Sequence, residues 1–398
     1  MSQGAEGSSP PPQPGARSRA APSRARADLR PLLASHSIES LAEHLERAGG
    51  TPTAARSAAG RVLGHVFRAA PGSSEAPRWD REALTRLSIG PWAHEALLAL
   101  QAEPSLVVDA AVPAGDGTER LVLRARDGAL LETVIIPGPG RTTVCISSQV
   151  GCARACTFCE TGAHGLSRQL DAGEIVDQVR VARAVWGDRQ PALSNVVFMG
   201  MGEPFDNLGE VARATHLLTD NRAFRLAPAR VTVSTVGVAD RIDAFFRTCR
   251  AELAVSLNAP DDARRSAIMP VNQRFGMATL KEAIAAAMPP SRRVLFEYVL
   301  IAGFNDAPAD ADLVASFVEG LRCRVNVIPV NPGPDPTIRT PSPEVLSAFV
   351  ARLAERGVVT LVRRPRGRDV GGACGQLAGA RRRGLPIAGD PAAPGADS

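Results

Sequence analysis

The chain has 398 residues, 46 Lys plus Arg against 41 Asp plus Glu, a net charge of +5 and seven cysteines. That length accommodates one large domain and a smaller one. No apolar run approaches the roughly 20 residues of a membrane span, and an odd cysteine count without a signal peptide speaks for a reducing compartment, so a soluble cytoplasmic protein is expected. Only Lys281 is a lysine. A skew that strong reads first as genomic base composition. Arginine also suits phosphate contacts and base stacking, so the charge permits an RNA partner without establishing one.

In chain order, residues 1–27 are rich in Pro, Ser, Gly and Arg and predict a disordered tail. Residues 28–104 carry apolar spacings of three and four, as in IESLAEHLERAG and GRVLGHVFRAA, and predict a helical accessory domain that could contact RNA. Residues 105–137 read as strands (SLVVDAAVP, ERLVLRARDG, ALLETVIIPG) broken by Gly, Pro and Asp, a short β extension that carries Glu132. Over 138–368 six strand-like stretches alternate with helical ones: TTVCISS, SNVVFMG, RVTVSTV, ELAVSL, RVLFEYVLI and RVNVIPV. Six βα units imply an α/β fold with a parallel sheet, too few strands for an eight-fold barrel, and therefore a partial (βα)6 TIM-like barrel. Ligands of such folds bind at the carboxyl ends of the strands. There lie Cys152, the GMGEP turn (200–204), Ser234, Ser256 and Asn331. Residues 369–398 form a C-terminal segment with Cys374 and a flexible tail.

Cys152, Cys156 and Cys159 form a C-x3-C-x2-C run, with Cys145 upstream and Cys374 far downstream. Three clustered thiolates can hold an iron–sulfur cube at three corners, leaving one iron without a protein ligand. Structural zinc is the alternative; it favours four ligands in two close pairs, and here only Cys156 and Cys159 make such a pair. Cys249 and Cys323 sit in apolar surroundings and read as buried core thiols. The glycines of GMGEP would let a ligand approach the backbone, and Glu203 could accept from an ammonium group. By itself Glu132 reads as a solvated residue at a strand edge.

The cysteine run with Phe158 before its last cysteine, followed by GEP, resembles the radical S-adenosylmethionine (SAM) superfamily. The segments TTVCISSQVGCARACTFCETG, GMGEP, VTVSTVGV, FEYVLIAGFND and ACGQLAG resemble, more narrowly, the RlmN/Cfr family of radical SAM RNA (adenine) methyltransferases, over about Glu132 to Gly379. The resemblance implies a barrel of the radical SAM type, one [4Fe-4S] cluster on Cys152, Cys156 and Cys159, and SAM held by Gly202, Glu203, Ser234, Ser256, Leu257, Asn258 and Asn331. It implies that Cys374 carries a methyl group as a thioether, that Cys145 later resolves the protein–RNA link through a transient disulfide, and that Glu132 accepts the ring proton. The implied substrate is 23S rRNA, with tRNA as a second, methylated at adenine carbon 2 at the expense of two SAM. The implied electron donor is a flavodoxin or ferredoxin. Asn258 stands where the family typically has His, Val330 where many relatives have an aromatic, and Val236 where many have Ser. Two other readings stay open: the same chemistry at carbon 8 or on another RNA, and a non-catalytic, metal-stabilised RNA-binding protein.

Overall fold

A computed structural model of the protein describes residues 33–68, 79–100, 102, 104–331, 338–363, 366–373 and 375–377, except for the side chains of 68 and 368. The tail expected over 1–27, most of the expected C-terminal tail and Cys374 itself lie outside the described residues.

The first helices are α1 (Ile38–Arg47), α2 (Pro52–Arg68), α3 (Arg81–Arg86) and α4 (His94–Leu98). A capping box starts α1: Ser37 Oγ accepts from the Ser40 amide at 3.1 Å, and Ser40 Oγ accepts from the Ser37 amide at 3.0 Å, worth about 1 kcal/mol. Ile38, Leu41, Ala42 and Leu45 then fall on one buried stripe.

The strands β1 (Leu106–Pro113), β2 (Glu119–Ala125), β3 (Leu130–Gly138) and β4 (Arg141–Cys145) run antiparallel in succession. A two-stranded hairpin follows, β5 (Gln149–Cys152) and β6 (Gly165–Gln169), with the short helix α5 (Glu160–Ala163) between its strands. The βα alternation then continues through α6 (Ala172–Trp186), β7 (Leu193–Phe198), α7 (Leu208–Thr219), β8 (Val231–Thr235), α8 (Ile242–Thr248), β9 (Glu252–Ser256), α9 (Asp262–Ile268) and α10 (Met277–Ala287). It ends with β10 (Val294–Leu300), α11 (Pro308–Val318), β11 (Cys323–Pro329), α12 (Pro343–Glu355) and β12 (Thr360–Val362).

All strands except the hairpin belong to one ten-stranded sheet in the order β1-β2-β3-β4-β7-β8-β9-β10-β11-β12, parallel from β4 onward. The six expected strands are β4, β7, β8, β9, β10 and β11, and the partial barrel is the observed architecture. The free edge of β4, where a closed barrel would pair its last strand, is taken by β3. The extension is therefore hydrogen-bonded into the barrel sheet. Two elements differ from expectation. Cys152 ends a hairpin strand of its own, β5, and β12 adds a short parallel strand beyond β11. Glu132 is likewise no solvated edge residue, because it lies inside β3 with no exposed surface.

Helix α6 is buried over most of its circumference. Its buried polar residues are all paired, as burial demands. Asp177 accepts from the Ser105 amide at 2.6 Å and from Arg180 at 2.7 Å. Gln178 accepts from Thr133 Oγ1 at 2.8 Å and from the Ser147 amide at 2.7 Å, and donates to the Ser147 carbonyl at 2.8 Å. The last pair fixes the chain just after β4, where the cysteine loop begins. Among the described residues, no helix is long and apolar enough to cross a membrane.

Candidate active site

The loop after β4 and the GMGEP turn after β7 are built against each other. Ser147 Oγ donates to the Glu132 carbonyl at 2.7 Å and accepts from the Met201 amide at 2.9 Å. Gln149 Oε1 accepts from the Glu203 amide at 2.7 Å. Gly202 has φ +107°, and a Cβ there would stand 2.7 Å from Gln149 Cβ, so only glycine lets the turn come this close. Gly151 is similarly fixed, with φ +81° and a Cβ position 2.0 Å from the Gly165 carbonyl oxygen. CISSQ thus serves as a seat for GMGEP.

A cavity with about 1250 Å³ of open space occupies the carboxyl ends of the strands. Cys152, Cys156 and Cys159 line it together with Gly202, Glu203, Ser234, Ser256, Asn258 and Asn331. Of the residues expected to contact SAM, only Leu257 lies off its wall, fully buried, its carbonyl accepting from Arg265 Nε at 3.1 Å. Asn258 has φ +57°, a left-handed conformation that Asn tolerates better than most residues. Its side chain is engaged in the wall: Oδ1 accepts from the Val299 amide at 3.0 Å, and Nδ2 lies 3.5 Å from Met269 Sδ.

The three thiols come from one loop, which Thr157 ties to the Ile268 carbonyl at 3.0 Å. Burial pushes the Cys152 and Cys156 thiols up to about 12 and raises Cys159 as well. Such thiols give up their protons to a metal, because the cation replaces the lost hydration of the thiolate. Among the described residues no three His, Cys, Asp or Glu side chains converge as ligands of a single ion. The all-sulfur donor set of three lining one cavity fits an iron–sulfur cluster. In the same cavity, Glu203 Oε1 accepts from the Phe205 amide at 2.9 Å and Oε2 from the Val236 amide at 2.8 Å. Burial nevertheless carries its carboxyl up to about 7.

A second cavity, with about 410 Å³ of open space, adjoins the first and shares Met199, Ile328, Asn331 and Leu377 with it. Cys145, Arg363, Gly372 and Ala373 line the second cavity, whereas Gly375 lines the first. Cys145 is buried, 5 % exposed. Cys374 lies outside the described residues, while its two neighbours line the two cavities. The segment is fastened just after the cysteine run: the Glu160 amide donates to the Gly375 carbonyl at 2.8 Å and Thr161 Oγ1 to the Leu377 carbonyl at 2.5 Å. Glu132 lines neither cavity. Of the two cysteines read as core thiols, Cys249 is buried and Cys323 only half-buried, at the start of β11.

A model of the radical SAM superfamily matches residues 146–313. A Sorangium cellulosum protein named as a probable RNA methyltransferase is 70 % identical over 354 residues, 89 % of each chain. The dual-specificity RNA methyltransferase RlmN of Anaeromyxobacter dehalogenans is 42 % identical over 291 residues, 70 % of this chain and 78 % of its own. This chain belongs to the RlmN/Cfr family of radical SAM RNA methyltransferases. The crystal structure of a radical SAM methyltransferase from Sphaerobacter thermophilus superposes with a TM-score of 0.75 and 37 % identity, covering 87 % of this chain and 99 % of that one. As an RlmN/Cfr enzyme the protein is a SAM-dependent methyltransferase that uses a [4Fe-4S] cluster.

Two residues, Glu297 in the wall of this RlmN/Cfr cavity and Arg265 bonded to the residues that line it, have no place in the sequence reading. Glu297, on β10, lines it with a carboxyl raised by burial, and Asn326 Nδ2 donates to both its oxygens at 3.1 Å. The only signal was a charge inside the apolar run VLFEYVL. Arg265, fully buried on α9, donates to the Val236, Ser256 and Leu257 carbonyls at 2.6, 3.0 and 3.1 Å and to Asn272 Oδ1 at 2.7 Å. It thereby ties together the ends of β8 and β9. Nothing in DARRSAI distinguishes it from its exposed neighbours.

Proposed function

We propose that the protein methylates carbon 2 of an adenine in 23S rRNA and, as a second substrate, in tRNA, through a methyl group carried on Cys374. The observation that carries this reading is the pair of adjoining cavities, one lined by the three cysteines, Glu203 and the serines, the other by Cys145, with the neighbours of Cys374 on both walls. The names of the curated relatives support an RNA substrate. Bound together, the reduced cluster and SAM supply a 5′-deoxyadenosyl radical, and SAM also supplies the methyl group.

The chain's own residues do the rest. Cys152, Cys156 and Cys159 hold the cluster. Gly202, Glu203, Ser234, Ser256, Asn258 and Asn331 orient SAM, with Leu257 shaping the wall from behind. An electron-poor ring carbon is no nucleophile, so the methyl group passes first to the Cys374 thiolate. One hydrogen atom of that methyl group passes to the 5′-deoxyadenosyl radical, and the methylene left on the Cys374 sulfur bonds to carbon 2. Glu132 takes the proton from carbon 2 while one electron returns to the redox partner. Cys145 then attacks the Cys374 sulfur, the carbon–sulfur bond breaks with its electron pair and a proton completing the methyl group, and the disulfide left behind is returned to two thiols by a reductant. A flavodoxin or ferredoxin is a suitable electron donor.

Comparing modified nucleosides in rRNA and tRNA from a deletion strain and its parent tests the substrate. Loss of 2-methyladenosine from both RNAs is expected. Its persistence, with loss of 8-methyladenosine or of another RNA's modification instead, would overturn carbon 2.

A pH dependence follows from Glu203. An ammonium group needs the carboxylate, and this carboxyl stays largely protonated below about 7. SAM affinity is therefore expected to rise with pH through that value. One unit below it, binding should be up to about tenfold weaker than on the alkaline plateau. Calorimetric titration of the reconstituted protein measures this, and Glu203→Gln should remove the slope. A slope that survives the substitution would assign it to another group.

A further inference from the structure

Arg120 is among the largest side chains in the molecule with no exposed surface, and it was not among the residues expected in the site. It stands on β2, its Nη1 3.6 Å from Oε2 of Glu132 on β3, which is equally buried. The ladder fixes which way both point. Arg120 pairs with Val134, Val134 pairs with Cys145, and Val122 pairs with Glu132. Directly opposed residues share a face of the sheet, as do residues two apart. Arg120, Glu132, Val134, Ile136 and Cys145 therefore lie on one face.

The opposite face packs on α6, where Thr133 meets Gln178. The face with Arg120 and Glu132 is covered instead by the C-terminal segment. A Cβ at Gly367 would meet Thr118 Cγ2 at 2.8 Å, and one at Gly372 would stand 3.5 Å from Val134 Cγ1. The segment is latched there: Asp116 accepts from the Gly367 amide at 3.1 Å and pairs with Arg366 at 3.7 Å, and Asp369 accepts from the Gly115 amide at 2.8 Å. A buried carboxylate needs a compensating charge close by, and removing one partner of such a pair leaves the other uncompensated.

We infer that Arg120 is the positioning residue of Glu132, aiming its carboxylate along the sheet face toward Cys145 and balancing its charge in a site from which water is excluded. The assignment rests on the reading of Glu132 as proton acceptor, and it adds no step to the reaction: the proton leaves carbon 2 for the Glu132 carboxylate, and Arg120 keeps its own. The other charged or titratable groups near this face are Arg124 on β2 with the Asp109 it pairs with on β1, Cys145 on β4, Arg363 and Arg366 about the second cavity, and the latched Asp116 and Asp369.

The test uses full-length reconstituted enzyme with three single variants, Glu132→Gln, Arg120→Met and Arg120→Lys. Methyl loading of Cys374 is read by mass spectrometry, covalent RNA adduct on denaturing gels, and turnover against pH. Arg120→Met should load methyl normally, accumulate adduct as Glu132→Gln does, and turn over about 100-fold more slowly, the lower range for loss of general base catalysis. The acid limb of its residual pH profile should move to higher pH, since the carboxylate has lost its positive neighbour. Arg120→Lys keeps the charge and should restore part of the rate and of the profile. If Arg120→Met does not fold, Arg120→Lys carries the test, with slowed turnover, adduct and unchanged loading expected. Parental turnover in the Arg120 variants beside a stalled Glu132→Gln would overturn the role of Arg120, as would loss of methyl loading in them. Parental turnover of Glu132→Gln would overturn the reading of Glu132 as base.

Discussion

Cys156→Ala, reconstituted anaerobically with iron and sulfide, should hold well under four irons per chain and form 5′-deoxyadenosine from SAM more than about 100-fold more slowly than the parent. That is beyond what loss of a hydrogen bond behind a metal ligand costs. The loop offers three thiols, all facing one cavity, and each is held above the usual thiol range by burial. Two remaining ligands cannot keep three corners of a cube, and among the described residues no histidine lines the cavity to replace the third. Cys249→Ala is the matched control, because that thiol is also buried but stands at the end of α8, outside both cavities. Iron content and 5′-deoxyadenosine should stay at the parental level there. A Cys156→Ala protein with a full complement of iron and parental cleavage of SAM would sink the assignment of the cluster ligands.

The second large effect belongs to Cys145→Ala. On the proposed resolving role of Cys145, the variant should take up methyl on Cys374, react once with RNA, and stop as a covalent adduct visible on a denaturing gel, with less than one turnover per chain. Of the thiols in the described residues, Cys145 alone lines the second cavity, beside Gly372 and Ala373. Cys152, Cys156 and Cys159 line the first. The substitution also removes only a sulfur atom from a largely apolar wall, so the fold should tolerate it. Clean multiple turnover by Cys145→Ala would refute its resolving role.

The barrel was legible because its strands are rich in β-branched and apolar residues, alternating in RVTVSTV and near-continuous in ELAVSL and RVLFEYVLI, each closed by a turn signal. β5 and β6 escaped because four- and five-residue strands that contain or begin with glycine carry too few side chains to set a period. β12 escaped because its three residues are partly or largely exposed. In the site, chemistry-bearing spacing made the cysteines and GMGEP readable. Arg120 was not. In ERLVLRA the arginines alternate with apolar residues, which predicts solvent on their side of the sheet. The covering segment comes from some 250 residues further along the chain, and no local period can announce a lid that distant. Glu132 was hidden for the same reason, and only the family resemblance singled it out. Arg265 could not be read either, since its role depends on three carbonyls contributed by strand ends elsewhere.

The joining of β1–β3 to the barrel through β4 has a consequence for how much the surface of this enzyme can change. Because neighbouring side chains on a strand point to opposite sides, slipping β3 by one residue against β2 and β4 would send Glu132 toward α6 and bring Thr133 to the other side. Parity along the ladder, more than any single contact, sets the spacing between the carboxylate and the Cys145 sulfur. The hairpin turns over 114–118 and 126–129 lie at the strand ends. Their length can change without altering that parity as long as the same residues stay opposed across the ladder, but Gly115 and Asp116 must keep their hold on the covering segment, and Asp127 its pairing with Arg168.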